Sequence, residues 1–394
     1  MNVGGPSHYV SLLGGLLDPS RYESLIVAGR VGPGEASADG LAVSYGARLQ
    51  TLADLGPEVS WSADLKAARK LGAMLRRFRP DIVHTHTAKA GFIGRLAACM
   101  LTPRPIIVHT YHGHVLEGYF GHRKSQAYRR LEQAAGRVSD ALVGVSQSTV
   151  DDLLRLRIAP ASRFRTISLG VDLGPFLGVD ASDGAAVRRE LRMTSDEILV
   201  TLAARLVAIK RIDVALRAVA LALPRDPRLR LLILGDGELR HDLESLAQDL
   251  GMAEDVRFLG YRFDVPAIAA ATDIAMLTSD SEALGMWLVE AAAAGCPALA
   301  TNVGGIPDVV RPGCGVTVPA GDPERLAEEL LSLAADRERR ELMGARAQAH
   351  VQRAFPVSRF VADMDQLYWE LLDRRRSTSA RARSPSRSDH EVVL

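Results

Sequence analysis

The sequence has few cysteines, few aromatic residues and no long apolar run. Its 394 residues include three cysteines, and aromatic residues make up 5%. Cys99, Cys296 and Cys314 lie far apart with no Cys-x-x-Cys pair, so the sequence encodes neither a disulfide framework nor a cysteine zinc site. The longest weakly charged stretch, 286–310, is interrupted by Glu290, prolines and glycines, which excludes a bilayer span of about 20 apolar residues there.

Charge is balanced over the whole sequence but not along it. Residues 1–170 contain 21 Lys+Arg against 13 Asp+Glu, a net charge of +8, and residues 171–394 contain 27 against 34, a net charge of −7. The basic half favours an anionic contact, such as lipid headgroups or a phosphorylated substrate; solvated surface charge explains it equally well. No charged and apolar leader opens the N-terminus, so we expect a cytoplasmic protein.

Short β-branched runs alternate with helical patterns, which is typical of βαβ units and parallel sheets. The predicted strands are 24–28, 81–85, 105–110, 141–145, 198–203, 229–234, 256–259, 274–277 and 297–300. The turn-rich stretch 169–183 separates two such arrays. We therefore expect one domain over 1–172, a second over 173–355, a C-terminal helix over 356–374 that returns toward the first domain, and a disordered Arg/Ser-rich tail over 375–394.

Two carboxylates follow the predicted strand 274–277. Glu282 lies in the next loop and Glu290 lies eight positions later, inside the next helix. If that helix begins near Gly285, its free N–H groups and positive dipole end favour a phosphate beyond the strand. Two glutamates at this spacing also occur by chance on a solvated helix face, so the pair needs context.

Further segments supply that context, and together they resemble glycosyltransferase family 4 over nearly the whole chain. The matching segments are 3–10, 81–86, 110–114, 143–146, 170–172, 203–210, 235–237, 279–290 and 304–308. The resemblance implies an α/β protein of GT-B fold, with two Rossmann-like doubly wound domains facing a central cleft. The first domain would bind the acceptor and the second the nucleotide sugar.

The resemblance also implies an activity. We expect a retaining, metal-independent hexosyltransferase that moves a sugar from a nucleotide diphosphate sugar, most simply a UDP-sugar, to a glycan or polyprenyl-linked acceptor in cell-envelope polysaccharide synthesis. No cofactor and no nucleic-acid partner are implied. The basic helix with Arg123, Lys124, Arg129 and Arg130 is expected to dock on anionic lipid at the inner face of the plasma membrane, with a solvated helix as the alternative.

The resemblance assigns catalytic roles to four residues. Arg205 and Lys210 would bind the donor diphosphate and stabilise the leaving group, since preorganised cations act most strongly on the charge that develops in the transition state. Glu282 would contact a hydroxyl of the transferred sugar. His112 would lie near that sugar, with a buried structural histidine as the alternative.

Binding roles extend the set. The donor-binding residues are Gly4, Gly5, Arg205, Lys210, Gly235, Gly237, Glu282, Gly285, Met286 and Glu290, and the acceptor-side residues are His84, His86 and Lys89. Glycines let backbone amides approach a ligand that a Cβ would block. Glu290 would accept hydrogen bonds from ribose hydroxyls. Within 109–114, His112 ranks ahead of His109 and His114.

The sequence departs from the family pattern in two places. Ala283 and Leu284 stand where the family has Gly-Phe, so donor fit is expected to differ. The strand that precedes the family's glycine loop is missing ahead of Met1, and we expect the true start upstream. Two alternatives stay open: a nucleotide-sugar 2-epimerase of the same fold, and a non-catalytic relative that only binds a nucleotide sugar.

Overall fold

The computed structural model describes residues 5–32, 37–58, 60–113 and 122–383. The first-half elements are α1 (Gly5–Leu16), β1 (Ile26–Gly29), α2 (Asp39–Ser44), β2 (Leu49–Leu52), α3 (Trp61–Phe78), β3 (Ile82–His86), α4 (Ala88–Cys99), β4 (Ile106–Tyr111), α5 (His122–Val138), β5 (Ala141–Gly144), α6 (Gln147–Arg155) and β6 (Phe164–Thr166). No helix in the described ranges has both the length and the apolar character needed to cross a bilayer.

The second half continues the alternation. Its elements are α7 (Gly174–Leu177), α8 (Ala181–Glu190), β7 (Ile198–Ala203), α9 (Ile212–Ala222), β8 (Leu229–Leu234), α10 (Arg240–Asp249), β9 (Val256–Gly260), α11 (Val265–Ala271), β10 (Ile274–Leu277), α12 (Met286–Ala293), β11 (Ala298–Thr301), α13 (Ile306–Val309), β12 (Gly315–Val318), α14 (Pro323–Ala335), α15 (Arg337–Ala354) and α16 (Val357–Arg383).

The second half forms one parallel sheet of six strands in the order β12-β11-β10-β7-β8-β9. Its inner strands are mostly apolar, without polar residues at every second position, because helices cover both faces, and β10 and β11 are buried along their whole length. From β7 the chain continues through β8 and β9 to one edge of the sheet, and from β10 it continues through β11 and β12 to the other edge. The crevice beyond the carboxyl ends of β7 and β10 is therefore the expected ligand position in a doubly wound sheet.

The doubly wound sheet expected in the first half is divided into two. β1 pairs with β2, and β3, β4, β5 and β6 form a separate parallel sheet. Within the described ranges no ladder joins β1 to β3. In the larger sheet His86 of β3 lies opposite Thr110 of β4.

Several element predictions need correction. Strands β2, β6 and β12 were not predicted, because they are short and partly exposed and so lack a buried apolar run. The stretch 169–183, expected to be aperiodic, contains α7 and the start of α8. Helix α16 continues to Arg383 instead of ending near Arg374, so the tail predicted to be disordered is helical over 375–383; the rest of it lies outside the described residues.

Helix α16 packs against the first half of the chain. Phe360 and Met364 are fully buried. The Tyr9 ring of α1 lies 4.4 Å from the Phe360 ring, and the Tyr9 hydroxyl donates to Met364 Sδ at 3.2 Å. The chain crosses between the two halves where the Val171 N–H donates to the Phe355 carbonyl at 2.8 Å. The last helix therefore completes the core beside α1.

A buried ion pair supports the end of β4. Arg95 of α4 is fully buried and its guanidinium bonds both carboxylate oxygens of Glu132 on α5, at 2.9 and 3.0 Å. The hydroxyl of Tyr111, the last residue of β4, donates to the same carboxylate at 2.8 Å. Three elements thus meet at one charged group, which holds the residue that precedes His112.

This network predicts a large loss of stability when one partner is removed. In Arg95→Met the carboxylate of Glu132 stays buried without its counter-charge, which costs about 3–5 kcal/mol of unfolding free energy. Urea unfolding followed by circular dichroism measures the loss. The control is Arg225→Met, which breaks an ion pair whose side chains are both 58% exposed, at a cost under about 1 kcal/mol. Equal small losses in the two variants would contradict the role given to the network.

Candidate functional site

The loops that follow β7 and β8 pack backbone against backbone at the crevice. A Cβ on Gly235, whose φ is +111°, would lie 2.1 Å from the Ala204 carbonyl oxygen, and one on Gly237 would lie 2.4 Å from that of Leu206. The Leu206 N–H donates to the Asp236 carbonyl at 3.0 Å. The glycines are required by this close packing, which fixes the backbone that carries Arg205.

The two predicted cations sit differently. Arg205 is exposed, and no side-chain partner for it is found among the described residues. Lys210 ends a short 3-10 turn and forms an ion pair with Glu282, in which the two side chains are only 20% and 10% exposed. Ser279 Oγ donates to the same carboxylate oxygen of Glu282 at 2.8 Å. Ser279 was not among the predicted site residues, although its position only three residues before Glu282 could have indicated a contact with that carboxylate.

Hydrogen bonds to main-chain carbonyls hold the loop after β10 against the loop after β7. The Asp280 N–H donates to the Ile209 carbonyl at 2.9 Å, and Thr278 Oγ1 donates to the Arg211 carbonyl at 2.9 Å. On the other side a Cβ at Gly304 would lie 1.8 Å from the Glu282 carbonyl oxygen. The backbone around Glu282 is therefore enclosed from both sides, and its carboxylate is positioned beside Lys210.

Helix α12 begins where the sequence predicts. Gly285 precedes it in the left-handed conformation, with φ 79° and ψ 63°, and a Cβ there would lie 2.6 Å from Ile306 Cδ1. No side chain caps the first turn of the helix. The N–H groups of Met286 and Trp287 have no backbone acceptor among the described residues, which leaves the positive end of α12 suited to an anion.

Glu290 lies one turn further along α12 than Met286. Burial raises the pKa of its carboxyl group to about 7. The carboxyl group of Glu290 therefore changes its protonation state, and with it its capacity to accept hydrogen bonds from hydroxyl groups, within the physiological pH range.

The first half of the chain meets these loops at two points. Gly5 opens α1, and a Cβ on it would lie 3.6 Å from Met286 Sδ at the start of α12. A Cβ on Gly113 would lie 3.8 Å from the Ala283 methyl group. The start of α1 therefore lies beside the start of α12, and the residue after His112 lies beside the loop that carries Glu282. Gly4 and His114 lie outside the described residues.

Three histidines of the first half form a cluster beside Tyr9. His86 Nδ1 and His112 Nε2 are 3.1 Å apart, and the His84 and His86 rings stack with centroids 4.2 Å apart. The Tyr9 ring meets the His112 ring edge-on at 4.9 Å. Burial lowers the pKa of His112 to about 3 and that of His84 to about 3, and burial together with the neighbouring histidines also lowers the pKa of His86. All three rings are neutral near pH 7.

Two of the residues predicted to bind the acceptor already have protein partners. His84 bonds Tyr368 through Nδ1 at 2.6 Å and Thr110 through Nε2 at 2.7 Å, so both ring nitrogens are used. Lys89 donates to the carbonyls of Gly56 and Glu58 and pairs with Asp64. These contacts assign both side chains a structural task. An acceptor role stays a prediction, and His86 is better placed for it.

Comparison with known proteins decides the family. Residues 3–174 match the pattern of Glycosyltransferase Family 4, and residues 185–350 match that of Glycosyl transferases group 1. A D-inositol 3-phosphate glycosyltransferase from Thermobispora bispora is 31% identical over 328 residues, which cover 79% of this chain and 75% of that protein. The chain belongs to glycosyltransferase family 4.

Other relatives extend the comparison. The UDP-Gal:alpha-D-GlcNAc-diphosphoundecaprenol alpha-1,3-galactosyltransferase of Escherichia coli is 28% identical over 250 residues, 63% of this chain and 64% of that protein. The crystal structure of Anabaena HepE in complex with UDP and glucose superposes with a TM-score of 0.80 at 21% identity, over 93% of this chain and 96% of that chain. The GT-B fold predicted from the sequence is confirmed.

The first departure from the family 4 pattern, Ala283-Leu284 in place of Gly-Phe, has a structural counterpart at each of its two residues. The Ala283 methyl group faces Gly113 across the cleft, where a glycine would leave more room. Leu284 is buried in the main core in place of the family's aromatic residue.

Asp236, Gly237 and Glu238 form an Asp-Gly-Glu triplet after β8. Asp236 accepts from the Gly237 N–H at 2.7 Å and pairs with Arg240 at 3.3 Å. It therefore serves the glycine turn.

The raised pKa of Glu290 predicts a pH-dependent affinity for nucleotide. If Glu290 binds the ribose as predicted, only its carboxylate accepts hydrogen bonds from both hydroxyls. The affinity for UDP-glucose, whose phosphates do not titrate near neutral pH, then falls by up to about tenfold per pH unit as the pH drops below about 7, and levels off above it. Isothermal titration calorimetry across this range measures the dependence. His112 stays neutral throughout because burial lowers its pKa to about 3. Glu290→Gln should bind UDP-glucose more weakly and without the pH step; a flat wild-type profile would contradict the assignment.

Proposed function

We propose that this protein is a retaining, metal-independent hexosyltransferase that moves a hexose from a UDP-sugar to a glycan or lipid-linked acceptor in cell-envelope polysaccharide synthesis. The observation that carries the proposal is the convergence, in one cleft, of Lys210, Glu282, the uncapped start of α12 and the end of β4 with His112. The E. coli relative, named for a UDP-sugar donor and a lipid diphosphate acceptor, supports this donor and acceptor class.

The diphosphate would lie at the start of α12, within reach of Arg205 and Lys210. Breaking the bond between sugar C1 and the phosphate oxygen leaves the electron pair, and hence a negative charge, on UDP. Fixed cations and helix N–H groups stabilise that charge more in the transition state than in the bound donor. Because Lys210 is paired with Glu282, a diphosphate that binds Lys210 must share or displace that carboxylate.

The acceptor hydroxyl would attack C1 from the face that the phosphate leaves. Its oxygen forms the new bond to C1, and its proton passes to the departing phosphate oxygen, so the configuration at C1 is retained. Glu282 is held by Lys210 and Ser279 in a position suited to a sugar hydroxyl, which disfavours a role as a covalent nucleophile. No step in this scheme uses a metal ion.

A surface of the first half is suited to an anionic membrane. Leu96 on α4 and Met100, the residue that follows α4, are 47% and 69% exposed, and Leu131 on the neighbouring α5 is 45% exposed. Arg123 and Arg130 are exposed on α5 as well. Apolar side chains flanked by arginines are typical of surfaces that bind lipid headgroups. We propose that this α4–α5 surface brings the cleft to a lipid-linked acceptor.

Donor turnover tests the activity. The protein is incubated with UDP-, GDP-, ADP- and dTDP-sugars, with and without membrane lipid extract and EDTA, and nucleotide and sugar products are separated by chromatography. We expect UDP release that needs lipid extract and persists in EDTA. Lys210→Ala should lower kcat by about 10²–10³-fold through loss of leaving-group stabilisation. Arg217→Ala, on the exposed face of α9, is the matched control and should match the wild type.

The outcomes separate the alternatives. An epimeric nucleotide sugar or its free sugar, formed without acceptor, would favour the 2-epimerase. Binding of UDP without turnover of any donor would leave the non-catalytic relative. Loss of turnover in EDTA would overturn the metal-independent mechanism, and an inverted anomeric configuration in the product, read by NMR, would overturn retention.

Vesicle binding tests the α4–α5 surface. Each basic residue near an anionic bilayer contributes about 1 kcal/mol, so the double variant Arg123→Glu/Arg130→Glu should lose more than about tenfold in affinity for phosphatidylglycerol vesicles. Co-sedimentation measures the bound fraction. Arg257→Glu, which reverses an exposed charge in the second half, is the control and should bind normally. Equal binding of wild type and double variant would refute this surface.

A further inference from the structure

Two neighbouring strands bring a pair of imidazole rings together. His84 and His86 lie on one face of β3 because they are two residues apart, and Thr110 and His112 share a face at the end of β4 for the same reason. The ladder places His86 opposite Thr110. On this face each side chain of β3 contacts the residue two positions beyond its ladder partner. His84 Nε2 lies 2.7 Å from Thr110 Oγ1, and His86 Nδ1 lies 3.1 Å from His112 Nε2.

The contact between His86 and His112 is an N–H···N hydrogen bond between neutral rings. Each neutral ring carries a single N–H, and the bond needs one hydrogen between His86 Nδ1 and His112 Nε2. If His86 donates, His112 Nε2 is bare and both rings carry their hydrogen on Nδ1. If His112 donates, both carry it on Nε2. If the two rings carry their hydrogens at different ring positions, either two hydrogens or none lie between His86 Nδ1 and His112 Nε2, and no hydrogen bond forms.

The remaining nitrogens are left for a ligand. His86 Nε2 and His112 Nδ1 have no hydrogen-bond partner among the described residues, and both side chains are partly exposed. Whichever ring donates in the shared bond, one of these two nitrogens is then a donor and the other an acceptor. His84 differs, because Tyr368 and Thr110 occupy both of its nitrogens.

We propose that His86 is a positioning residue for His112: their shared hydrogen bond fixes the tautomer and orientation of His112, and the pair offers the hydroxyls of a bound sugar or acceptor one donor and one acceptor. The proposal deepens the transferase function and rests on it. Tyr9 holds the arrangement from the other side, with ring centroids 5.3 Å from His86 and 4.9 Å from His112. Tautomer control by the partner of the second ring nitrogen is the general behaviour of positioned histidines.

The tautomers can be measured without any substrate. Two-bond ¹H–¹⁵N correlation spectra of protein labelled with ¹⁵N-histidine distinguish Nδ1–H from Nε2–H rings, and His86→Asn and His112→Asn variants assign the signals. We expect both rings to carry hydrogen at the same ring position in the wild type near pH 7. Different positions on the two rings would overturn the proposal.

Variants test the effect on the reaction. His86→Phe keeps a planar ring but no nitrogen, so His112 should populate both tautomers and kcat should fall about ten- to a hundredfold, with UDP affinity within about twofold of the wild type. His86→Asn keeps an amide nitrogen close to the position of Nδ1 and should retain most of the activity. His241→Asn, at an exposed histidine of α10, is the control.

These measurements also separate this proposal from the proposed function. Failure of the transferase function would show in the wild type as absence of turnover with every donor. Failure of the positioning role would show as an active wild type in which His86→Phe leaves the His112 tautomer or kcat unchanged. Equal loss of kcat in His86→Phe and His86→Asn with an unchanged His112 tautomer would likewise overturn it, because the effect would then be structural.

Discussion

Two loops at the carboxyl edge of the second sheet depend on each other, and the candidate site depends on both. The loop after β7 carries Lys210 and the loop after β10 carries Glu282; main-chain hydrogen bonds and this ion pair join them. Gly235 and Gly304 allow the neighbouring backbones to pack against these loops without a Cβ between them. The cation, the carboxylate and the start of α12 are therefore held in place before a ligand arrives, which is the condition for electrostatic stabilisation of a leaving group.

The first half contributes the opposite wall of the cleft through a different kind of order. Its histidines and Tyr9 are neutral and packed ring against ring, whereas the second half presents charged groups. A developing positive charge on the sugar and a developing negative charge on the nucleotide would thus be met by different surroundings. The buried pair of Arg95 and Glu132 holds the strand end from which His112 projects.

The sequence predicted the second sheet better than the first for a physical reason. Strands β7, β8 and β10 are almost entirely apolar and buried, with Thr201 in β7 and Arg230 in β8 as the exceptions in type, and their predicted bounds match the structure. Strand β2 is largely exposed and gives no such pattern. Motif resemblance located Lys210, Glu282 and the start of α12, but their contacts depend on folding: the ion pair joins residues 72 positions apart, and the pairing of His86 with His112 follows from the register of β3 and β4. The internal partners of Lys89 and His84 gave no sequence signal at all.

Helix α16 has a consequence for biosynthesis. Phe360, Met364 and Tyr368 complete the core around Tyr9 and supply the partner of His84, although they lie close to the end of the described chain. On a ribosome the first-half sheet is exposed long before this helix is translated. The N-terminal folding unit is therefore discontinuous in sequence, and it reaches its final packing only after the whole second sheet has been made. During that interval an apolar surface of the first half is exposed in the nascent chain and is prone to aggregation.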